Sequence, residues 1–235
     1  MRGESRVSEK ILVKRVVGDY TLTMADQPAD ITETIKRLKK AFPKSHIALN
    51  FKTPLELLTA VILSAQTTDV AINSLTPALF ARYKTAKDYA DADVAELETL
   101  IKRSGFYHNK AKSLIGMGKT LIGKFNGQVP QTMAELVQIP GAARKTANIV
   151  LWNAFGKIEG IAVDTHVARL SQRLGFSMND DPVKIEKDLM KIVPHDEWGR
   201  FAHWLQDHGR AICTARKPNC DGCFLNDICP SAFKV

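Results

Sequence analysis

The sequence predicts an all-α protein of about ten helices joined by short connections. Apolar residues recur three and four positions apart along most of the chain from residue 30 onward, which is the spacing of an amphipathic helix. Alternation with a period of two, the pattern of a half-buried strand, is almost absent. Asp or Thr residues followed three positions later by Glu mark several helix starts along the same stretch.

The helix starts appear in order along the chain. Asp30 and Glu33 form a capping-box pair at the first start. The second start combines Thr53, a natural cap, with Pro54, which suits the first helical position. A long amphipathic run over residues 111–125 is closed by Asn126 and a following glycine, which commonly end helices. Further starts are predicted at Asp93, Thr132 and Asp181.

Composition limits the class of protein. The 235 residues are 45% hydrophobic, which is enough for one large or two small domains, and 33 Lys and Arg against 25 Asp and Glu leave a charge of +8. This basic surplus suits a nucleic-acid partner, although many basic proteins bind no DNA. No apolar stretch approaches the roughly 18 residues of a membrane span. We therefore expect a cytoplasmic, nucleoid-associated protein without a membrane partner, and a basic N-terminal extension over residues 1–27.

Residues 139–147 contain a turn between two helices. Pro140 and Gly141 form a strong turn signal, and the next helix begins near Ala143. A glycine turn lets the backbone approach a phosphate, and the new helix N-terminus offers unpaired N–H groups to it. The pattern predicts a site that grips a phosphate backbone without reading sequence, and an ordinary helix–helix connection is the alternative.

Two charged residues stand at helix starts. Lys145 lies just inside the helix that follows the turn, where the helix dipole repels a cation, and a lysine amine is a usable nucleophile. Asp164 lies in the segment Val-Asp-Thr-His, at the predicted start of a further helix. Taken alone, Lys145 is interpreted as a solvated surface residue and Asp164 as a helix cap.

The four cysteines are confined to 17 residues near the end of the chain, with the spacing C-x6-C-x2-C-x5-C. Four thiolates so close can surround one metal centre. Zinc sites usually use two close pairs, and here only Cys220 and Cys223 form one. Zinc and two disulfides remain the alternatives to an iron–sulfur cluster. The cysteines are Cys213, Cys220, Cys223 and Cys229.

Four segments together resemble the endonuclease III family of iron–sulfur DNA glycosylases. Residues 139–147 resemble its helix-hairpin-helix motif, with Ala143 where the family usually has glycine. Residues 163–166 match its Val-Asp-Thr-His segment, residues 63–66 match its Leu-Ser-Ala-Gln segment, and the cysteine spacing matches its four-iron four-sulfur loop. The resemblance covers about residues 30–235, and the segments occur in the order found in the family.

The resemblance implies a bifunctional glycosylase/lyase that removes oxidised pyrimidines, such as thymine glycol, from damaged double-stranded DNA. Lys145 stands where the family has its catalytic lysine, which attacks the sugar, forms a Schiff base and breaks the strand by β-elimination. Asp164 stands where the family has its catalytic aspartate, which stabilises positive charge on the sugar. The four cysteines are implied to hold a 4Fe-4S cluster.

The resemblance also implies the DNA contacts. Gln66 is at the position of a glutamine that enters the duplex, and Phe106 is at that of a second wedge, where related sequences usually carry an aliphatic residue. Taken alone, Gln66 is interpreted as a helix-capping residue and Phe106 as a core residue. The other implied contacts are Gly141, Ala143, Arg144, Thr146, His166, Arg216 and Lys217.

For architecture, the resemblance implies two helical domains that flank a DNA cleft and a chain that acts as a monomer. A six-helix barrel with the helix-hairpin-helix motif would span residues 47–157, and residues 28–46 with 158–235 would form a discontinuous iron–sulfur domain. The nearest rival is the related adenine-mismatch glycosylase, which needs a glutamate where this chain has Val61 and which lacks the hairpin lysine. A DNA-binding or redox protein without catalysis is the alternative from another class.

Overall fold

The structure, a computed structural model, describes two short strands near the N-terminus and residues 27–235. The strands β1 (Val16–Val17) and β2 (Tyr20–Thr21) pair antiparallel. The rest of the predicted extension over residues 1–27 lies outside the described residues. Every regular element of residues 27–235 is helical, which confirms the predicted all-α class.

Residues 27–235 contain eleven α-helices and two 3₁₀ turns, Lys102–Ser104 and His195–Glu197. Within the described part of the chain, no helix has the length and apolar character needed to cross a membrane. The helices are α1 (Ile31–Ala41), α2 (Pro54–Leu63), α3 (Asp69–Arg82), α4 (Ala86–Ala90), α5 (Val94–Ile101), α6 (Tyr107–Phe125), α7 (Met133–Leu136), α8 (Arg144–Phe155), α9 (Thr165–Arg173), α10 (Pro182–Ile192) and α11 (Trp198–Ala211).

Local hydrogen bonds explain why the helices begin where they do. The side-chain oxygens of Asp30, Thr53 and Asp93 accept hydrogen bonds from the backbone N–H three residues ahead, at 2.8, 3.2 and 2.8 Å. Thr132 and Asp181 make the same contact at 3.4 and 2.9 Å. These bonds satisfy N–H groups that have no partner inside the helix. All five predicted helix starts are therefore confirmed.

The buried side chains form two hydrophobic clusters. One cluster lies within residues 49–151, and the other combines residues 29–38 with residues 161–225. Helix α1 joins the second cluster because it packs against α11 near the other end of the chain. Each cluster is the expected core of one helical domain. We therefore propose the domain division suggested by the sequence: 47–157 for the barrel, and 28–46 with 158–235 for the second domain.

Candidate active site

The turn between α7 and α8 requires a glycine. Gly141 has φ +83°, a conformation that side-chain-bearing residues rarely adopt. A Cβ atom on Gly141 would also lie 3.1 Å from Ile62 Cγ2 and from Ser113 Cβ. The turn is closed by the N–H of Ala142, which donates to the Ile139 carbonyl at 2.9 Å. The turn is therefore packed on α2 and α6, and it presents the N-terminus of α8 in a fixed orientation.

Ala143 replaces a glycine of the related motif without strain. Its backbone is extended, with φ −75° and ψ 172°, a region open to any residue, and α8 begins at Arg144. Ala143 therefore neither needs a left-handed conformation nor adds a residue to the helix. Its side chain gives no cap to the N–H groups of the first turn of α8. Uncapped N–H groups at a helix N-terminus are suited to a phosphate.

Lys145 and Asp164 line the same groove. Lys145 is the second residue of α8 and is half-buried, and its amine makes no hydrogen bond or ion pair within residues 27–235. Asp164 caps α9, because its Oδ1 accepts hydrogen bonds from the N–H groups of His166 and Val167 at 2.9 and 2.8 Å. Asp164 is therefore a helix cap, as the alternative interpretation predicted. Its Oδ2 makes no hydrogen bond with the described residues, so the same carboxylate can cap the helix and act in the groove.

The groove lies between the parts of the chain that form the two hydrophobic clusters. Residues 64–70 and Lys145 form one wall, residues 163–166 contribute to the other, and the volume between them is about 1000 Å³. Arg210 on α11 reaches across the groove, where its Nη2 donates to Asp69 Oδ2 at 2.8 Å. Helix α3 is capped by the preceding threonine and not by Asp69, whose carboxylate is therefore available for this contact between the domains.

An inner chamber of about 80 Å³ continues from Lys145 and Asp164 into the interface between the domains. Asn148 and His203 line this chamber, and Asn148 Oδ1 and His203 Nδ1 are buried without a hydrogen-bond partner. Burial lowers the pKa of His203, so the ring is neutral at neutral pH. Buried polar atoms of this kind are normally satisfied by water. The chamber therefore suits ordered water beside the two candidate catalytic residues.

Gln66 and Phe106 are exposed residues with a left-handed backbone. Their φ angles are +55° and +48°, and Phe106 is 66% exposed. The core-packing alternative for Phe106 is therefore wrong. The capping alternative for Gln66 is also wrong, because the side chain that caps α3 belongs to Thr68. Non-glycine residues in this region are strained and occur preferentially at functional sites. The contacts of both residues with DNA stay predictions.

Arg144 is part of a hydrogen-bond network around a buried carboxylate of α10. Its Nε and Nη2 donate to the Glu186 carboxylate at 2.5 and 3.1 Å, and the amide of Asn148 donates to the same carboxylate at 2.7 Å. Glu186 is only 3% exposed. A Cβ atom on Gly160 would lie 2.0 Å from Glu186 Oε1, so this glycine is needed for space. The network joins the hairpin to the second domain, and the predicted contact of Arg144 with DNA stays a prediction.

Replacing Arg144 with Ala is expected to lower the free energy of unfolding by about 2–4 kcal/mol, because a buried carboxylate would lose its counter-charge. The double variant Arg144→Ala/Glu186→Gln should recover most of this loss, because it removes the buried charge as well. Thermal and denaturant unfolding would measure both effects. Lys187→Ala, at an exposed position on α10, is the matched control. An Arg144→Ala protein as stable as this control would contradict the assignment.

The other predicted contacts differ in accessibility. Arg216 and Lys217 are exposed in the loop between the first two cysteines, whereas the Thr146 side chain is buried.

His166 is half-buried, and its Nδ1 lies 3.2 Å from Arg169 Nη2. Burial lowers the pKa of His166, and two arginines add to the effect against the opposing charge of Asp164. His166 is therefore a neutral residue of the groove wall at neutral pH.

The four cysteines surround one cavity beside α9 and α11, and all four are half-buried. Arg173 Nη1 donates to Cys213 Sγ at 3.2 Å, and the N–H of Leu225 donates to Cys223 Sγ at 3.4 Å. Burial raises the pKa of the Cys223 and Cys229 thiols, so the charge of a metal centre is needed to hold them as thiolates. Hydrogen bonds to sulfur are a usual feature of iron–sulfur sites. Four cysteine sulfurs around one cavity, two of them accepting such bonds, are the ligands that an iron–sulfur cluster takes.

Comparison with protein families assigns the fold and the site to one class. Residues 59–195, which contain the hairpin, Lys145 and Asp164, match the HhH-GPD superfamily of base excision DNA repair proteins. Residues 213–229, which contain the four cysteines, match the iron-sulfur binding domain of endonuclease III. The chain is a base excision DNA repair protein with a helix-hairpin-helix motif.

Individual relatives define the family within this class. Endonuclease III of Synechocystis sp. is 50% identical over 209 residues, which are 89% of this chain and 95% of that protein. A non-covalent endonuclease III–DNA complex and a trapped endonuclease III–DNA covalent intermediate each align with a TM-score of 0.83 and 43% identity. Both alignments cover 87% of this chain, with 95% and 96% of the solved chains. The chain belongs to the endonuclease III family, and it is a DNA glycosylase/AP lyase with a 4Fe-4S cluster.

Proposed function

We propose that this enzyme removes oxidised pyrimidines, such as thymine glycol, from duplex DNA as a monomer associated with the nucleoid, and then cleaves the strand through a Schiff base on Lys145. The supporting observation is the unpaired amine of Lys145 in the same groove as Asp164, whose Oδ2 is also free among the described residues. A covalent intermediate has been trapped for the related endonuclease III. The same kind of intermediate is expected here.

Base removal is the first step. The neutral amine of Lys145 attacks C1′ of the damaged nucleotide, and the glycosidic bond breaks with its electron pair on the departing base, which takes up a proton. Positive charge develops on the sugar during this step. The Asp164 carboxylate lines the same groove as Lys145 and is suited to stabilise that charge. Helix α9 fixes the orientation of the carboxylate through the two hydrogen bonds that Oδ1 accepts.

Strand cleavage follows from the same covalent bond. The sugar ring opens as the Lys145 nitrogen loses a proton and forms the imine, and O4′ is protonated. Loss of a proton from C2′ then expels the 3′ phosphate by β-elimination. These proton transfers need an acceptor, for which the Asp164 carboxylate is suited. The inner chamber lined by His203 suits ordered water that can carry the protons.

DNA binding uses separate parts of the surface. The first turn of α8 and the turn at Gly141 hold one phosphate, and Arg216 with Lys217 provides positive charge on the cysteine loop. The four cysteines would hold the 4Fe-4S cluster and so fix the position of that loop, and none of the steps proposed above uses the cluster. The damaged nucleotide must leave the base stack to reach Lys145. Gln66 and Phe106, both exposed, fill the space that it leaves.

The adenine-mismatch activity is disfavoured by Val61. That activity needs a carboxylic acid at this position to protonate adenine, and Val61 is an apolar residue buried inside α2. The chain also carries Lys145, which that branch lacks. We therefore expect no release of adenine from mismatched duplexes.

The proposed function can be tested with duplexes that carry one thymine glycol, one adenine mismatch or no lesion. The reaction is analysed with and without alkali, because alkali cleaves abasic sites that the enzyme has left intact. Nicking of the thymine glycol strand without alkali is the expected result. Nicking that depends on alkali would mean a glycosylase without lyase chemistry on this substrate, and preference for the mismatch would overturn the substrate assignment.

Replacing Phe106 with Gly is expected to stabilise the fold by up to about 1 kcal/mol, because a left-handed backbone costs Phe more than Gly and little packing is lost. The same change should lower kcat/KM on a paired lesion by about tenfold or more, because the wedge is removed. Unfolding curves and steady-state cleavage would measure the two effects.

Asn126→Gly provides the matched control for this variant. Asn126 has φ +52° at the other end of α6, so its replacement relieves the same kind of strain far along the helix from Phe106. We expect unchanged activity for Asn126→Gly. Equal activity of Phe106→Gly and Asn126→Gly would mean that Phe106 is not a wedge.

A further inference from the structure

Lys110 is a buried lysine whose partners are all neutral. It is the fourth residue of α6 and only 6% exposed. Its Nζ donates to Thr67 Oγ1 at 3.0 Å and to the Ser104 carbonyl at 2.6 Å. No carboxylate of the described residues pairs with it, and burial lowers the pKa of its ammonium group.

A cation in this place is costly for the fold. Removing an ammonium group from water is unfavourable, and neutral acceptors compensate only in part. A lysine close to the start of α6 also opposes the helix dipole. An apolar side chain of similar length would fill the same space without these costs. The lysine is therefore best explained by what its hydrogen bonds hold together.

The hydrogen bonds of Lys110 join the loop that carries Gln66 to the loop that carries Phe106, two exposed residues with a left-handed backbone. Thr67 follows Gln66 directly, and Ser104 stands two residues before Phe106. The Thr67 hydroxyl also donates to the Ser104 carbonyl, so that the three groups form a closed triangle. Gln66 and Phe106 thus lie one and two residues from the same buried polar contact.

We propose that Lys110 is a positioning residue that couples the Gln66 loop to the Phe106 loop, so that both side chains enter the duplex at a fixed separation. Left-handed non-glycine residues persist only where their surroundings hold them, and this triangle is such a support. Lys110 does not line the groove that contains Lys145 and Asp164. Its effect is therefore on the extrusion of the nucleotide and not on bond breaking, and the proposal rests on the proposed function.

The test compares Lys110→Met with Lys110→Arg and with Lys112→Met. Lys112 is an exposed lysine two residues further along α6, so its replacement removes the same charge without breaking the triangle. Each protein is given thymine glycol in a fully paired duplex and in an unpaired bubble, where the damaged base has no pairing to lose on extrusion. Fluorescence of 2-aminopurine placed next to the lesion reports unstacking independently of cleavage.

Lys110→Met is expected to lower kcat/KM on the paired lesion by about 10- to 100-fold and to change cleavage in the bubble by less than about threefold. The 2-aminopurine signal of Lys110→Met should fall in parallel. Lys110→Arg should retain part of the kcat/KM on the paired lesion and part of the fluorescence signal, and Lys112→Met should match wild type in both. If the role of Lys110 were purely structural, Lys110→Met would lower the melting temperature and would reduce cleavage of both substrates equally.

Equal loss on both substrates, or a 2-aminopurine signal equal to that of Lys112→Met, would overturn the coupling role of Lys110. Failure of the proposed function gives a different result, because the wild-type enzyme would then cleave neither substrate. The fluorescence comparison would still decide whether Lys110 couples the loops, since it requires binding only.

Discussion

Replacing Lys145 with Gln is expected to reduce strand cleavage at a lesion or abasic site by at least about 10³-fold, because the amine that forms the covalent bond is lost. Gln keeps most of the length of the side chain, and Lys145 has no hydrogen bond or ion pair within residues 27–235 to lose. Affinity for the damaged duplex and the melting temperature should therefore stay close to those of wild type. Single-turnover cleavage and equilibrium binding would separate the two effects.

Lys119→Gln is the matched control for Lys145→Gln. Lys119 is an exposed lysine in the middle of α6 and does not line the groove. Lys119→Gln therefore has the same net charge as Lys145→Gln and leaves the groove unchanged. A protein with Lys145→Gln that cleaves at the rate of the Lys119→Gln control would show that another amine is the nucleophile.

Asp164→Asn is expected to lower the rate of base removal by about 10²-fold or more, with little change in stability. Asn is as good a helix cap as Asp, so the bonds to the N–H groups of His166 and Val167 are retained. What the substitution removes is the negative charge beside the developing positive charge of the sugar. This variant therefore separates the capping role from the catalytic role.

The matched control for Asp164→Asn is Asp181→Asn, at the cap of α10, where the same exchange should be silent in activity. Single-turnover release of thymine glycol is the measurement. If Asp164→Asn retains the wild-type rate, the residue is a cap only.

The helices were predictable because their starts are encoded locally. Asp30, Thr53 and Asp181 each make a hydrogen bond to an N–H only three residues away, so that the sequence around each position carries the whole signal. The two catalytic candidates were predictable for a different reason. Lys145 and Asp164 are ambiguous one at a time, and only the match of several segments to one family connects them.

The interactions that were missed all depend on contacts between distant segments. Lys110 bonds to Thr67, which lies 43 residues earlier, and Glu186 accepts a hydrogen bond from Arg144, which lies 42 residues earlier. In the sequence Glu186 is an ordinary charged residue of a predicted helix, whereas Lys110 lies just outside the predicted helical run over residues 111–125. Lys110 stands directly before the buried Ala111, and that position at the edge of an apolar face was the one available signal. The extended backbone of a residue such as Ala143 also depends on packing that no local pattern reports.

The central claim is that Lys145 forms a covalent bond to the damaged nucleotide. Borohydride trapping on a duplex with one thymine glycol tests it most directly, with Lys145→Gln and Lys119→Gln in parallel, because borohydride reduces a Schiff base to a stable amine. We expect a protein–DNA adduct for wild type and Lys119→Gln, with the attached sugar mapped to Lys145 by mass spectrometry, and no adduct for Lys145→Gln. An adduct that persists in Lys145→Gln, or its absence in a wild-type protein that binds the lesion, would contradict the claim.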